Sequence, residues 1–247
     1  MSPAASTPLA SVLDSFSGAF DFIFNPRDEV GVGGQVGGLD QVAEFLWTHV
    51  WISALALAIA VALALPVGVY LGHRGTGELL AVAVGNAGRA IPELALIALM
   101  IAFVGVGVLN VTIALLILGI PPILTNAFVG IRQVDRDAVE AARGVGMTEL
   151  EVILRVELPL AVPTIMGGVR TGAIAIIATA TIAPLAGVLT LGDFILGQNV
   201  YGSDGVLAGA ILVALLALVV ELLLAGLQRL LTPRGVMLQR EAARTAA

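Results

Sequence analysis

Residues 140–161 read EAARGVGMTELEVILRVELPLA. They sit in a chain of 247 residues that is 58% hydrophobic, with a mean hydropathy of +1.02. Residues 132–157 nevertheless hold ten of the thirty charged side chains: Arg132, Asp135, Arg136, Asp137, Glu140, Arg143, Glu149, Glu151, Arg155 and Glu157. A soluble domain of this size would spread its charge over its whole surface. Here the charge marks one segment held outside an apolar medium.

On either side of that segment lie long apolar runs. Stretches of about 18 or more apolar residues read as membrane-spanning helices. Five candidates follow: Val50–Leu71, Leu79–Val104, Val108–Ile131, Leu160–Leu191 and Gly205–Gln228. Each can cross roughly 30 Å of hydrocarbon at about 1.5 Å per residue. The fold class expected is all-α and integral to the membrane, with about five transmembrane helices. Arg74, Arg132, Arg136, Arg143 and Arg155 flank spans one to four on one side, and Arg229, Arg234, Arg240 and Arg244 follow span five. The loops at Gly105–Gly107 and Gly192–Asp204 hold no Arg. The positive-inside rule then puts the charged loop and the C-terminus in the cytoplasm and the N-terminus outside.

The domain division expected is 1–39, 40–231 with its loop at 132–158, and a cytoplasmic tail at 232–247. In the first segment Leu9, Val12, Leu13, Phe16, Phe20 and Ile23 follow helical spacing, which suits an interfacial amphipathic helix. A poorly ordered tail fits equally well. The start lacks a positive n-region and makes a poor signal peptide, and Gly31–Gly38 reads as a flexible linker. There is no Cys, so thiolate chemistry and disulfides are excluded. The sequence contains no metal-ligand cluster and no phosphate-binding G-x-x-x-x-G-K-[ST] loop.

The charged loop reads as two short helices. Asp137 is positioned to cap the first, with Glu140 three residues on as its capping-box partner. Gly144 and Gly146 stop it. Thr148 caps the second with Glu151 in the reciprocal position, and Met147 with Val152 forms a hydrophobic staple. Pro159 marks the turn into the next span. Ala138, Ala141 and Ala142 keep one face of the first helix small, so another surface can approach it closely. Arg136, Glu140 and Arg143 would orient such a partner at its rim.

This loop resembles the cytoplasmic motif of ABC importer permeases: E-A-A, three residues, Gly, nine residues, an aliphatic residue, any residue, then Leu-Pro. The matching residues are Glu140-Ala141-Ala142, Gly146 and Val156-Glu157-Leu158-Pro159. A narrower resemblance covers about residues 45–231. RAIPELALIAL from Arg89, GIPPILTNAFVGI from Gly119, the stretch from Val134 to Gly172 and LGDFI from Leu191 look like permeases of the osmoprotectant subfamily. The resemblance implies a MetI-like permease fold and import of glycine betaine, choline, carnitine or proline betaine across the bacterial cytoplasmic membrane.

It further implies ABC ATPase subunits that bind ATP and Mg²⁺, an extracytoplasmic substrate-binding protein that is not fused to this chain, and a second permease in a homodimer or heterodimer. No cofactor is expected in this chain. The ATPase-coupling set it implies is Asp137, Glu140, Ala141, Ala142, Arg143, Gly146, Met147, Thr148 and Glu151. In one place the sequence departs from the subfamily. A Gly-Ala-Gly-Gly-Leu-Gly loop becomes Gly187-Val188-Leu189-Thr190-Leu191-Gly192, and only its end glycines and Leu191 remain.

Ionisable groups inside a span cost on the order of 3 kcal/mol or more and suggest function. Arg89 and Arg170 fall about 16 Å from the cytoplasmic ends of their helices, with Glu93 one turn beyond Arg89 and able to pair with either. Two readings stand: these groups line the translocation path, or they form a structural ion pair. Asn86, Asn126, Thr171 and Thr179 are further path candidates, although Asn and Thr also bridge helices. Glu221 is expected to meet an Arg. Two rival functions compete with import by an ABC complex. An intramembrane hydrolase is disfavoured because His49 and His73 fall at opposite membrane boundaries. A stand-alone secondary transporter or channel for a small polar solute would leave the ordered loop unexplained.

Overall fold

The computed structural model describes residues 8–29, 34–233 and 235. Helix α1 (Pro8–Phe24) leads into a hairpin of β1 (Pro26–Asp28) and β2 (Gln35–Gly37), and then α2 (Gly38–Arg74). Next come α3 (Glu78–Ala90), α4 (Glu93–Val104) and α5 (Val108–Arg132). The charged loop holds α6 (Arg136–Gly144) and α7 (Glu149–Val152), followed by a π-helical turn (Ile153–Glu157) and α8 (Leu158–Thr179). A 3-10 stretch (Ala180–Ala186), α9 (Gly192–Leu196) and α10 (Gln198–Leu231) complete the chain.

Four helices among the described residues are long and apolar enough to cross a membrane: Gly38–Arg74, Val108–Arg132, Glu149–Ala180 and Gln198–Leu231. The expected second span, Leu79–Val104, is not one helix. It breaks into α3 of 13 residues and α4 of 12, with Ile91 extended at φ −82°, ψ 119°. The cause is Pro92, whose ring bars helical geometry at the residue before it. Neither half reaches the length of a span. The fourth span also ends early, since α8 gives way to 3-10 geometry at Ala180.

The chain packs as two compact units. The first comprises Met1–Ala54, Glu93–Thr112 and Ile177–Leu218. Its core is aromatic, with Phe194 against Phe22, Phe45 and Tyr201 at centroid distances of 5.3, 4.9 and 5.0 Å. Helix α1 docks there through Ala19, Phe22 and Ile23, while Leu13, Phe16, Phe20 and Phe24 stay exposed. The expected apolar stripe of α1 is therefore divided between two faces; the side chains of Leu9 and Val12 lie outside the described residues. Arg27 fixes the hairpin, donating to Asp204 at 2.8 Å and to the Gly18 carbonyl at 2.7 Å.

Part of the expected Gly-rich linker is strand β2, in register with β1 through Val36 opposite Arg27. Residues 30–33 lie outside the described residues. In the same unit His49 is fully buried, and its Nε2 donates to the Ile177 carbonyl at 3.0 Å. The two retained glycines of the altered loop have separate reasons to be there. Gly187 has φ +77°, and a Cβ on Gly192 would lie 1.7 Å from the Thr181 carbonyl oxygen. Thr190, between them, is buried and donates to the Ala180 carbonyl at 2.8 Å.

The second unit comprises Leu55–Pro92, Ile113–Ile176 and Val219–Ala247. Helix α5 is its axis, and its neighbours approach through glycines. A Cβ on Gly68 or Gly72 of α2 would lie 2.7 or 2.8 Å from the Leu124 or Phe128 carbonyl oxygen. A Cβ on Gly168 of α8 would lie 2.6 Å from the Pro122 carbonyl oxygen, and one on Gly172 3.0 Å from that of Gly119. Both pairs are small residues four apart. That spacing lets helix backbones meet closely where lipid offers no hydrophobic drive to associate.

Candidate coupling site

The structure builds the charged loop as two capped helices. Asp135, not Asp137, caps α6, accepting from the Asp137 amide at 3.0 Å. Asp137 occupies the first turn, where its charge complements the helix dipole. Glu140 therefore closes no capping box; it lies exposed on the outer face. Val139 and Ala142 turn inward.

At the far end Met147 donates to the Ala142 carbonyl and Gly146 to that of Arg143, at 3.2 and 2.9 Å. This bond pair with a left-handed residue at Gly146, φ +88°, is a Schellman stop. Gly144 is still helical. The four-residue interval from Ala142 to Gly146 in the motif is thus the interval of a helix terminator. A Cβ on Gly146 would meet nothing within 4 Å, so glycine is required there by backbone conformation and not by space.

Helix α7 is capped as expected. The Glu151 carboxylate accepts from the Thr148 amide and hydroxyl, both at 3.0 Å, and the Thr148 hydroxyl accepts from the Glu151 amide at 3.4 Å. Met147 and Val152 share one apolar cluster. Pro159 makes no turn. The Leu158 amide instead bonds the Ile153 carbonyl in π register, and α7 runs on into α8. A proline has no N–H to give the carbonyl four residues back, and the wider π turn just before it absorbs that loss. The joined helix of 32 residues is longer than the hydrocarbon core, so its charged first turns project from the membrane.

Ion pairs knit the loop together. Arg143 reaches Glu149 through two hydrogen bonds of 3.1 and 2.9 Å, joining the end of α6 to the start of α7. Arg143 and then His73 hold the Glu149 carboxyl below its ordinary range. His73, in the last turn of α2, sets Nε2 3.0 Å from Glu149 and Nδ1 2.7 Å from Glu157. Nothing in the sequence pattern marks His73 or Glu157 for such a role.

Most of the expected coupling set faces outward: Asp137, Glu140, Ala141, Arg143, Gly146 and Thr148 are exposed, and Met147 and Glu151 half-buried. Ala142 is the exception, buried beneath the loop. Val145, Leu150 and Leu154 were not anticipated; they expose 77%, 64% and 54% of their surface. They form an exposed apolar patch beside charged side chains. The i,i+4 spacing of Leu150 and Leu154, with charged Glu149, Glu151 and Arg155 beside them, was the available signal.

Of the path candidates, Arg170 and Thr171 line one cleft of about 500 Å³ with Gly167, Ile174 and Glu221. Arg170 pairs with Glu221 rather than Glu93: Nε donates at 3.0 Å, Nη2 donates to the same oxygen, and Nη1 donates to Gln228 at 2.9 Å. Glu93 is exposed in the first turn of α4, and Asn86 is exposed on α3. The Arg89 side chain lies outside the described residues. Asn126 and Thr171 donate within their own helices, to Pro122 and Gly167 at 2.8 and 3.0 Å. Thr179 is fully buried, which removes it from any lining surface in this conformation.

Residues 64–234 match the family described as the inner membrane component of binding-protein-dependent transport systems. The chain belongs to that family. It is a multi-pass membrane permease, a transport component and not an enzyme. It is 42% identical over 196 residues to the carnitine transport permease protein OpuCB of Listeria monocytogenes, covering 79% of this chain and 90% of that one. It is 38% identical over 196 residues to the choline transport system permease protein OpuBB of Bacillus subtilis, with the same coverage. Its fold is that of the permease in inward-facing structures of the MetNI methionine ABC transporter, at a TM-score of 0.68 and 19% identity over 79% of this permease and 98% of the other.

Proposed function

We propose that this permease forms the translocation path of an ABC importer for osmoprotectants, quaternary ammonium compounds such as carnitine, choline or glycine betaine. The reading is carried by the loop at 132–158. It is ordered by two caps, a Schellman stop and a bidentate ion pair, yet it leaves Val145, Leu150 and Leu154 bare beside Glu140 and Arg143. A linker between spans would need none of this order.

The bare face docks an ATPase subunit in the cytoplasm, which holds ATP and Mg²⁺. ATP-driven closure of two such subunits moves the loops and switches the path between its outward and inward states. A separate extracytoplasmic binding protein delivers the substrate, and a second permease completes the complex. Only 11% of the apolar window of α10 is buried within the chain, which leaves a broad face for lipid or that second permease. The N-terminus lies outside, and the exposed stripe of α1 rests in the membrane interface. Arg170, with Thr171 and Glu221 beside it, is the foremost path group. Its guanidinium suits a betaine carboxylate, and Glu221 tempers its repulsion of the ammonium.

The test is purification in mild detergent from the native membrane, followed by uptake of labelled glycine betaine, choline and carnitine into ATP-loaded vesicles. A nucleotide-binding subunit that accompanies the permease and is lost with Leu150→Asp, together with ATP-dependent uptake, supports the reading. Uptake that persists without ATP would favour a stand-alone transporter.

A further inference from the structure

We infer that His73 is a positioning residue for coupling: its ring is the clasp through which movement of the charged loop reaches the first long helix. The inference rests on the coupling reading above and names its internal connection.

His73 is nearly enclosed, with 7% of its side chain exposed. Both ring nitrogens face carboxylates, Glu157 at 2.7 Å and Glu149 at 3.0 Å. A neutral imidazole carries one N–H and can serve only one of them, whereas the imidazolium serves both. Glu157 is buried to 1% exposure, and its other oxygen has no partner among the described residues. A buried carboxyl group that loses its hydrogen-bond partner is costly. Among the described residues Glu157 is held by His73 alone, and the pair stays together.

Three segments meet at this ring. His73 ends α2, Glu149 begins α7, and Glu157 closes the π turn that leads into α8. Arg143 extends the chain of contacts into α6. Behind His73, α2 is keyed to α5 through Gly68 and Gly72, so a force on its end is not dissipated by sliding. A load applied to α6 and α7 by a docked ATPase must therefore carry the end of α2 with it. Without the ring, the docking face would remain while the load escaped.

The experiment uses the whole importer, with its ATPase and binding protein, in liposomes, and labelled glycine betaine as the probe. ATP hydrolysed per betaine imported is compared for the native protein, His73→Gln, Glu157→Gln and His73→Arg. With His73→Gln and Glu157→Gln the complex assembles and ATP hydrolysis continues, while ATP used per betaine rises about tenfold. His73→Arg, which returns charge and two donors, restores part of the ratio. Glu157→Gln removes the buried charge, so it reads coupling even where His73→Gln folds poorly. A ratio within about twofold of native in both Gln variants overturns the inference. So does loss of assembly in both, which would make the clasp a folding element. A native complex without ATP-dependent uptake would instead refute the coupling reading itself.

Discussion

The Met147 amide donates to the Ala142 carbonyl at 3.2 Å, over a left-handed Gly146. One hydrogen bond thus spans the interval that the family motif fixes between its last Ala and its Gly. The first and last of those positions are backbone devices. Ala142 is buried under the loop, and its neighbours Ala141 and Arg143 are the ones that face outward.

Gly146→Ala should therefore destabilise the loop by about 1 kcal/mol, because an L side chain is strained at φ +88°. Gly144→Ala, inside the helix with open space around it, should be neutral or stabilising by up to about 1 kcal/mol. Thermal melts of the two variants, with amide exchange at Val145–Met147, decide it. Equal effects would show that the loop does not terminate as described.

Thr148→Ala should cost about 1 kcal/mol by removing the cap of α7. The Glu151 carboxyl is held below its ordinary range, first by the Thr148 amide and then by the Thr148 hydroxyl. A lowered folded value means that the ionised form is the one favoured by folding. Its contribution is present above the unfolded value, about 4.3, and is lost as pH falls through the folded one. The stability gap between native protein and Glu151→Gln should be flat near neutrality and shrink in acid. A gap that widens in acid would contradict the capping box.

Arg170→Met and Glu221→Met each strand a partner charge inside a span. The pair is about a third exposed, so each should lower the melting temperature by only about 2–4 °C. Together they leave no unpaired charge, so the double variant should melt close to the native protein yet still fail in betaine uptake. Recovery of uptake along with stability would make the pair purely structural.

Gly68→Val should be poorly tolerated, since its first added carbon already lies 2.7 Å from the Leu124 carbonyl oxygen on α5. Overpacking of this kind costs about 1–3 kcal/mol. Gly226→Ala, inside α10 with nothing within 4 Å, is the control and should leave the melt unchanged or slightly raised. Equal melts for the two would mean that α2 does not depend on this close approach to α5.

Much of this was legible one residue at a time. Thr148 and Glu151 announced their cap because both partners lie within one turn. Pro92 carried the signal for the break in its own ring, but the apolar run across it argued for a single span. The cap of α6 was misplaced by two residues, because Asp135 and Asp137 are chemically the same and only the path of the chain after α5 chooses between them. Arg170 was legible as a group in need of a partner. Its partner was not identified, since Glu221 lies fifty-one residues on and the pairing depends on how α8 meets α10. His73 escaped for the same reason: eighty-four residues separate it from Glu157.

The π turn at Ile153–Glu157 bears on which changes this gene can tolerate. A residue added to or removed from an α-helix turns everything beyond it by about 100°. The wide turn already absorbs one such step: its extra residue adds to the count without turning Leu150 and Glu149 away from their present neighbours. A substitution between Gly146 and Pro159 leaves this rotation as it is, whereas a further change of length does not. The fixed count of residues in the motif is, on this view, a rotational setting.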